Sequence, residues 1–414
     1  MEKLTVLIVS QLYAPETGGN ASRMGDMARQ LQALGLDVVV LSPHPTMPFG
    51  TFRRRWQRKA DSAVDGIRVT NLWTWQPAAG DPGFVSRMAY YLLFAFHAAA
   101  WALLHRKKYD VIVTTSPPIF VTLPGLLVKA LCGKRWIVDV RDLWIDASIS
   151  LGFIRKGSLY ERVSRRFEWL FYRKSDLVTV TTLESVRRIV ETYPGLDREK
   201  FVLLSNGVDT DRFYRPRARK KKQIIYSGNI GHAQDLEKVI LAMEDVALRH
   251  DVKLVIVGDG DLKGPLIDLV REHGLEGRVE FRDLVPRDQV PDLISESCIG
   301  VAPLKDIETL EYAIPTKVFE YMACGIPFVG CSRGEIANIA RQSGGGIIAR
   351  SNVKAIAEAL CRLLENPGLE AEMGDNGRRY VREHYDRKNI ARVLRDRIVA
   401  LAGSGRRGDE RIDG

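Results

Sequence analysis

Cysteine is scarce and unpatterned in this 414-residue sequence. Cys132, Cys298, Cys324, Cys331 and Cys361 form no C-x-x-C and have no histidine at zinc spacing. That excludes a disulfide-stapled miniprotein and a zinc-finger framework, and reads as reduced core thiols in a cytosolic protein. An apolar leader is also missing. Met1-Glu2-Lys3 runs straight into the strand-length Leu4–Val9 with no small-residue cleavage site, so no signal peptide is expected. Helix-turn-helix spacing and RNP-type strands are lacking too, which removes nucleic acid as the expected partner. With 45% hydrophobic and 27% charged residues, the composition is neither that of a disordered chain nor that of collagen.

Net charge is absent from one half only. Residues 201–414 hold 33 residues of each sign, whereas residues 1–200 hold 28 Lys/Arg against 18 Asp/Glu, so the whole excess of +10 lies in the first half. A basic half meets an anionic partner such as a phosphorylated substrate or a membrane surface. The clusters are Arg53-Arg54-Arg55 with Arg58-Lys59, and Arg162, Arg165, Arg166, Arg173 and Lys174. Met88–Leu104 carries no formal charge and is followed by Arg106-Lys107-Lys108. It is borderline in length for a span, and a strand resumes at once. The run is expected to pack on a sheet and to present Tyr90, Tyr91, Trp101 and its basic flank to lipid headgroups. A helix that merely covers the sheet fits the same residues.

What fills the chain is alternation. Apolar runs of strand length at 4–9, 37–42, 67–72, 110–115, 135–140, 176–181, 201–204, 223–228, 253–257, 278–281, 298–302, 327–330 and 346–348 are separated by helical patterns. Strand–helix alternation means parallel sheets covered on both faces. Thirteen strands are too many for one open sheet, so two doubly wound sheets of about seven and six strands are expected. The basic, Pro-containing stretch 213–222 reads as the link between them. The expected organisation is α/β, with an N-terminal Rossmann-like domain at 1–205 facing acceptor and membrane. A C-terminal Rossmann-like domain at 206–385 binds the nucleotide. A helix at 386–402 packs back on the first domain, and a disordered tail covers 403–414. Ligands of open α/β sheets lie at the carboxyl ends of strands, so two facing sheets would share a central cleft.

The strand-end loops carry the candidate chemistry. Gly18-Gly19, before a helix, lets backbone amides approach an anion, although the pattern is not G-x-G-x-x-G. Arg141-Asp142 ends a strand, where a carboxylate can orient an acceptor hydroxyl or act as base; a structural Arg–Asp pair reads alike. Gly228-Asn229-Ile230-Gly231 is a phosphate-compatible turn. Asp259 and Asp261 read as turn caps. The most informative segment is Pro315–Val329. Lys317 falls in the first turn of a helix, where a cation is disfavoured unless an anion is bound. Glu320 shares its face. Together they could hold a nucleotide diphosphate, or form a plain surface Lys–Glu pair.

In order along the chain stand Pro15-x-x-Gly18-Gly19, Arg141-Asp142-Leu143-Trp144, Asn206-Gly207-Val208-Asp209, Tyr226-x-Gly228-Asn229-x-Gly231, Val257-Gly258-x-Gly260 and Pro315-Thr316-Lys317-x-x-Glu320-Tyr321-Met322-Ala323-x-Gly325-x-Pro327. With these the sequence resembles the retaining GT-B glycosyltransferases of family four, and within them the bacterial L-fucosamine or colanic-acid-type transferases. The resemblance implies transfer of a sugar from a nucleotide-diphosphate sugar, a UDP-sugar being favoured, to a saccharide or lipid-linked saccharide in surface polysaccharide biosynthesis. It implies that Glu320 binds the ribose hydroxyls, that Gly18 and Gly19 meet the diphosphate, and that the base rests on Leu284-Val285-Pro286. Glu335 is a lesser candidate.

Four positions, in three departures, differ from the family pattern. Tyr312 stands where the first Glu of E-x7-E is expected, and Asn229 and Gln234 replace an Arg and a Lys. Asp142 stands in place of a His of the first domain. Lys317 is the substitute cation for the leaving diphosphate, helped by the backbone at Asn229 and Gly231, and Asp142 with Arg141 orients the acceptor. Neither metal nor cofactor is expected, and the enzyme is expected on the inner face of the cytoplasmic membrane. Two other readings share the layout: a non-hydrolysing UDP-N-acetylglucosamine 2-epimerase, which needs no acceptor, and a non-catalytic sugar-nucleotide binder, which releases no nucleotide.

Overall fold

The computed structural model describes residues 3–16, 19–47, 49–77, 83–213 and 221–409, with side chains to Gly403 in the last helix. The chain divides into two compact units, Met1–Ser205 with Lys388–Gly414, and Asn206–Arg387. The sequence reading ended the second unit at 385.

The first unit runs β1 (Thr5–Val9), α1 (Gly19–Ala33), β2 (Asp37–Pro43), β3 (Lys59–Val64), β4 (Ile67–Leu72), α2 (Phe84–Leu104), β5 (Val111–Ser116), α3 (Leu123–Cys132), β6 (Arg135–Val140), α4 (Trp144–Ser150), α5 (Leu159–Lys174), β7 (Leu177–Val180), α6 (Leu183–Thr192) and β8 (Phe201–Leu203). Its sheet order is β3-β4-β2-β1-β5-β6-β7-β8. Every pair is parallel except β3–β4. The central strands are apolar on both faces because helices cover both, as parallel sheets require. Strand β3 was not expected: Lys-Ala-Asp-Ser-Ala-Val has no apolar alternation, and it lies exposed at the sheet edge, where charge blunts an edge. Helix α3 lies hard against β6. A Cβ on Gly125 would come within 2.0 Å of the Trp136 indole nitrogen, which itself donates to Thr114 Oγ1 at 2.8 Å.

Helix α2 is the one helix among the described residues long and apolar enough to cross a membrane by length and composition. One face, with Tyr90, Phe94, Ala95, Ala98, Ala99 and Ala102, is buried. The other leaves Val85, Leu93, Phe96 and Leu104 exposed. This corrects the expected lipid-facing set. Tyr90 is fully buried and Tyr91 and Trp101 are half-buried, because the 3.6-residue period turns Tyr90 inward with Phe94. A second exposed apolar stripe, Leu159, Val163 and Phe167, runs along α5 beside exposed Arg162 and Arg166. The two helices meet where Phe84 packs edge-on against Tyr160 at 5.8 Å.

The second unit runs β9 (Gln223–Ser227), α7 (Leu236–Arg249), β10 (Lys253–Val257), α8 (Lys263–Glu272), β11 (Val279–Arg282), α9 (Val290–Ser295), β12 (Ile299–Ala302), α10 (Thr316–Ala323), β13 (Phe328–Gly330), α11 (Glu335–Ser343), β14 (Gly346–Ile348), α12 (Val353–Glu365) and α13 (Pro367–His384). Its six strands, in the order β11-β10-β9-β12-β13-β14, are all parallel. Two apolar layers sandwich the sheet, one built on α7, α8 and α12, the other on α9, α10 and α11. Helix α14 (Arg387–Asp409) then returns Ile390, Ala391, Leu394 and Ile398 to the core of the first unit. Its backbone is helical to Asp409, where a disordered tail was expected from 403. Once a helix is nucleated, each added residue costs little. Residues 410–414 and most of the 213–222 stretch lie outside the described residues.

Candidate functional site

In the second unit, α10 carries the site, and Tyr321 sets its position. Gly300 on β12 has no side chain, and a Cβ there would lie 2.3 Å from the Tyr321 ring. The ring therefore lies flat on the strand. Its hydroxyl accepts from Ser227 N at 3.1 Å and donates to Val301 O at 3.3 Å, which fastens α10 to the carboxyl ends of β9 and β12. Lys317 is one turn earlier on the same face. Its Nζ lies 3.5 Å from the Tyr226 ring centroid, and 3.4 Å from where a Gly228 Cβ would be. Burial pushes its ammonium down to about 7, and Glu320 only partly opposes this. Lys317 thus carries its charge, disfavoured by burial, in the first turn of α10, where a helix start favours an anion.

Glu320 does not form the plain surface pair with Lys317 that was the alternative reading. Its buried carboxylate meets Arg287 at 2.6 Å, and the Arg287 guanidinium lies 4.9 Å from the Phe213 ring centroid. The helix directs Glu320 to the β11–α9 loop while Lys317 turns to β9. Arg287 was missed in the sequence: attention to Leu284-Val285-Pro286 stopped one residue short, and nothing in the spacing marks it. Val285 is half-buried against the α10-side core, and Leu284 is exposed.

The β9 loop is shaped by close backbone approach. Gly228 (φ +130°) donates its N–H to Val257 O, and Ile230 to Asp259 O. Helix α7 starts at Leu236, so the 228–231 turn lies in the loop before it. Asp259 caps no helix; its Oδ1 accepts from Gly260 N at 2.9 Å. A Cβ on Gly258 would lie 1.9 Å from Gly228 O, at φ +156°. Gly258→Ala is expected to displace the β9 loop and to cost the second unit about 1–3 kcal/mol, the usual penalty for a side chain forced into such a backbone conformation; chemical denaturation reads it. Tyr312 is buried, and Glu335 opens α11, its N–H donated to Glu311 O at 2.6 Å.

In the first unit, Gly19 is exposed at the start of α1, and Gly18 lies outside the described residues. Asp142 is exposed, its carbonyl accepting from Trp144 N at 2.9 Å. Arg141 is half-buried and donates to Pro117 O at 2.9 Å. Burial lowers its basicity against the pull of Asp142 and Asp139. Glu16, unmarked in the sequence reading, is buried. It accepts backbone N–H groups from Thr46 (2.8 Å), Met47 (2.7 Å) and Tyr13 (3.2 Å). It staples the β1–α1 loop to the loop after β2, and burial outweighs those bonds, pushing it up to about 7. Beneath lies a buried ion pair, Arg23–Asp139 at 2.9 Å. Arg23 also donates to Leu204 O and Ser205 O, and Thr179 donates to Asp139.

Comparison with known proteins follows the same division. The family model "Glycosyl transferase 4-like domain" matches residues 18–207, and "Glycosyl transferases group 1" matches 208–380. A chain of Escherichia coli named as a colanic acid biosynthesis glycosyl transferase, WcaI, is 25% identical over 78% of this chain and 82% of its own. An uncharacterized glycosyltransferase of Methanocaldococcus jannaschii is 30% identical over 70% of this chain and 75% of its own. The crystal structure of Anabaena HepE in complex with UDP-glucose superposes with a TM-score of 0.70 at 15% identity, covering 97% of this chain and all of that one. Two Rossmann-like units and sequence likeness along both place it: the chain belongs to the family-four GT-B glycosyltransferases, enzymes that use a sugar-nucleotide donor.

Proposed function

We propose that this enzyme transfers a hexosyl or N-acetylhexosaminyl group from a UDP-sugar to a saccharide or lipid-linked saccharide, with retention at the anomeric carbon, in bacterial surface polysaccharide biosynthesis. The observation that carries the reading is Lys317, held over Tyr226 and against Gly228 on the same helix as a buried Glu320. The likeness to the WcaI chain and to a fold that binds UDP-glucose supports the substrate class.

As the bond from the anomeric carbon to the diphosphate oxygen breaks, its electron pair and negative charge go to the leaving group. Stabilising that charge is the main electrostatic task. Lys317 and the amides of Asn229 and Gly231 do this in the second unit, so no metal or cofactor is required in this reading. Glu320, oriented by Arg287, accepts from the ribose hydroxyls, and Val285 supports the base. Asp142, with Arg141 beside it, orients the acceptor hydroxyl and takes its proton. Retention without a protein nucleophile follows from attack on the face that the diphosphate leaves.

The test is a panel of UDP- and GDP-sugars with membrane-extracted lipid acceptor, read by nucleotide release, with Glu320→Ala and Lys317→Ala as controls. Release from a UDP-sugar that is acceptor-dependent and lost in both controls is expected. No release from any donor sinks the reading.

Association with the inner face of the cytoplasmic membrane belongs to the same proposal. The exposed apolar stripes of α2 and α5 and the basic first half support it. Phe96→Asp with Leu93→Asp is expected to release the protein from anionic vesicles in a flotation assay, and neutralising Arg53, Arg54 and Arg55 to weaken binding in a salt-dependent way. Undiminished flotation of the aspartate variant at high salt removes the membrane from the account.

A further inference from the structure

The cysteines have no histidine at zinc spacing along the chain, but the fold brings one to Cys361. His250 closes α7, its N–H donated to Val246 O at 2.9 Å. Its carbonyl accepts from Val252 N at 3.0 Å as the chain turns into β10. Cys361 and Glu365 stand four residues apart on α12 and so share a face. Helices α7 and α12 meet in one apolar layer that includes Val246, Leu360 and Cys361. At the end of that layer an imidazole nitrogen, the Cys361 sulfur and a Glu365 carboxylate oxygen all lie within 4.8 Å of one another.

Each of the three is poorly served by protein atoms. His250 Nε2 is 3.6 Å from Glu365 Oε1, too far for a hydrogen bond. It is buried and has no hydrogen-bond partner among the described residues, which is costly for a polar atom. Glu365 also meets Arg249, but both side chains are about half exposed, so that pair contributes little and can be exchanged. Cys361 is 1% exposed. Burial pushes its thiol up, Arg249 pulls it down, and Glu365 and Asp245 push it up again. Such a thiol stays protonated unless a metal displaces its proton. One nitrogen, one sulfur and one carboxylate are the donors of zinc; calcium and magnesium require oxygen cages. Donors around a tetrahedral zinc stand roughly 3.3–3.6 Å apart, from bond lengths of about 2.0–2.3 Å. The His250–Glu365 spacing already meets this, and about 1 Å of side-chain adjustment closes the rest. Glu365 is exposed, so solvent reaches the set and can supply a fourth, water ligand.

We infer that His250, Cys361 and Glu365 bind a zinc ion that joins the C-terminal ends of α7 and α12 and stabilises the second unit. Both helices follow strands of a parallel sheet and run back against them, so these ends lie at its amino edge. Lys317 lies at the carboxyl edge. The ion therefore takes no part in the transfer chemistry, and the inference is independent of the transfer reading. On binding, a sulfur–zinc bond replaces the S–H bond, the proton passes to solvent, and Glu365 exchanges Arg249 for the ion.

The test uses the full chain, reduced and stripped of metal with a chelator. Cobalt(II) is added first as a spectroscopic stand-in. Wild type should take up one equivalent, with the near-ultraviolet charge-transfer band of a thiolate ligand, and Cys361→Ser should lose that band. Zinc affinity is then measured by competition with a chromogenic chelator. His250→Gln, Cys361→Ser and Glu365→Gln should each lose about tenfold or more, the least that even an outer-shell partner is worth. Zinc at about a hundredfold excess over its Kd should raise the melting temperature of wild type by about 3 °C or more, and leave that of His250→Gln unchanged. No cobalt band in wild type overturns the inference. So does a band that survives Cys361→Ser, which places the thiolate at another cysteine, or an affinity loss under about tenfold in any of the three variants. Where the buried Cys361→Ser does not fold, His250→Gln and the exposed Glu365→Gln decide by affinity.

Discussion

Lys317→Met is expected to lower turnover by about 10²–10³-fold, the usual loss when one pre-placed donor to a developing anion is removed. A second signature identifies the group. With its ammonium near 7 in the free protein, Lys317 is largely neutral at pH 8, and a bound diphosphate draws a proton back onto it. Above the second phosphate ionisation near 6, UDP affinity should fall by up to about tenfold per unit as pH rises from 7 to 9. Binding at pH 8 should take up close to one proton, read from the enthalpy in buffers of different ionisation heat. Lys317→Met should abolish both effects. The stability sign is opposite to that of a paired lysine. Between 7 and 10.5 the unfolded chain binds the proton and the folded chain does not, so wild-type stability rises with pH across that window. Lys317→Met should therefore be the more stable protein at pH 7, by roughly 2–3 kcal/mol after allowance for partial exposure, and the gap should close towards pH 10.5. A UDP affinity that is flat from pH 7 to 9 in the wild type would remove Lys317 from the diphosphate.

Asp139→Ala is expected to cost about 3–5 kcal/mol, the loss when one member of a buried pair is removed and the other stays charged. That is a large part of the 5–15 kcal/mol that holds a domain. Both side chains are almost fully buried. Desolvation alone would raise the Asp139 carboxyl, but the Arg23 charge and hydrogen bond, with Thr179, hold it below its usual range. The contribution is thus complete above about pH 4 and is lost only as pH falls through that lowered value. Chemical denaturation should give an Asp139→Asn deficit that is constant from pH 5 to 8 and shrinks in acid. Adding Arg23→Met to Asp139→Leu should recover only part of the loss, because Leu204 O and Ser205 O then lose their donor. Full recovery by the double change would show that those carbonyl bonds contribute nothing.

The two sheets were legible because parallel strands covered on both faces must be nearly pure apolar runs. Val6–Val9, Val111–Val113 and Leu254–Val257 announce themselves. Strand β3 hid because an edge strand makes no such demand on its residues. The short α4 hid because seven residues carry little periodicity. On α2 the length was legible, but an all-apolar run does not show which side faces the sheet, and the phase came out wrong for Tyr90. Site residues were legible where a residue type contradicts its local setting, as a lysine in a first helical turn does. Arg287 and Glu16 sit in ordinary loop sequence. Their significance lies in burial and in partners made or missing, which only the folded chain displays.

The discontinuity of the first unit makes the two units unequal as fragments. Asn206–Arg387 is one uninterrupted stretch, bearing Lys317, Glu320 and Arg287, and is the natural choice for isolated expression and nucleotide soaking. A fragment cut at 205 keeps its sheet but leaves an open apolar slot where Ile390, Leu394 and Ile398 belong. A synthetic peptide spanning 388–402, added to that fragment, would be the piece that makes it soluble.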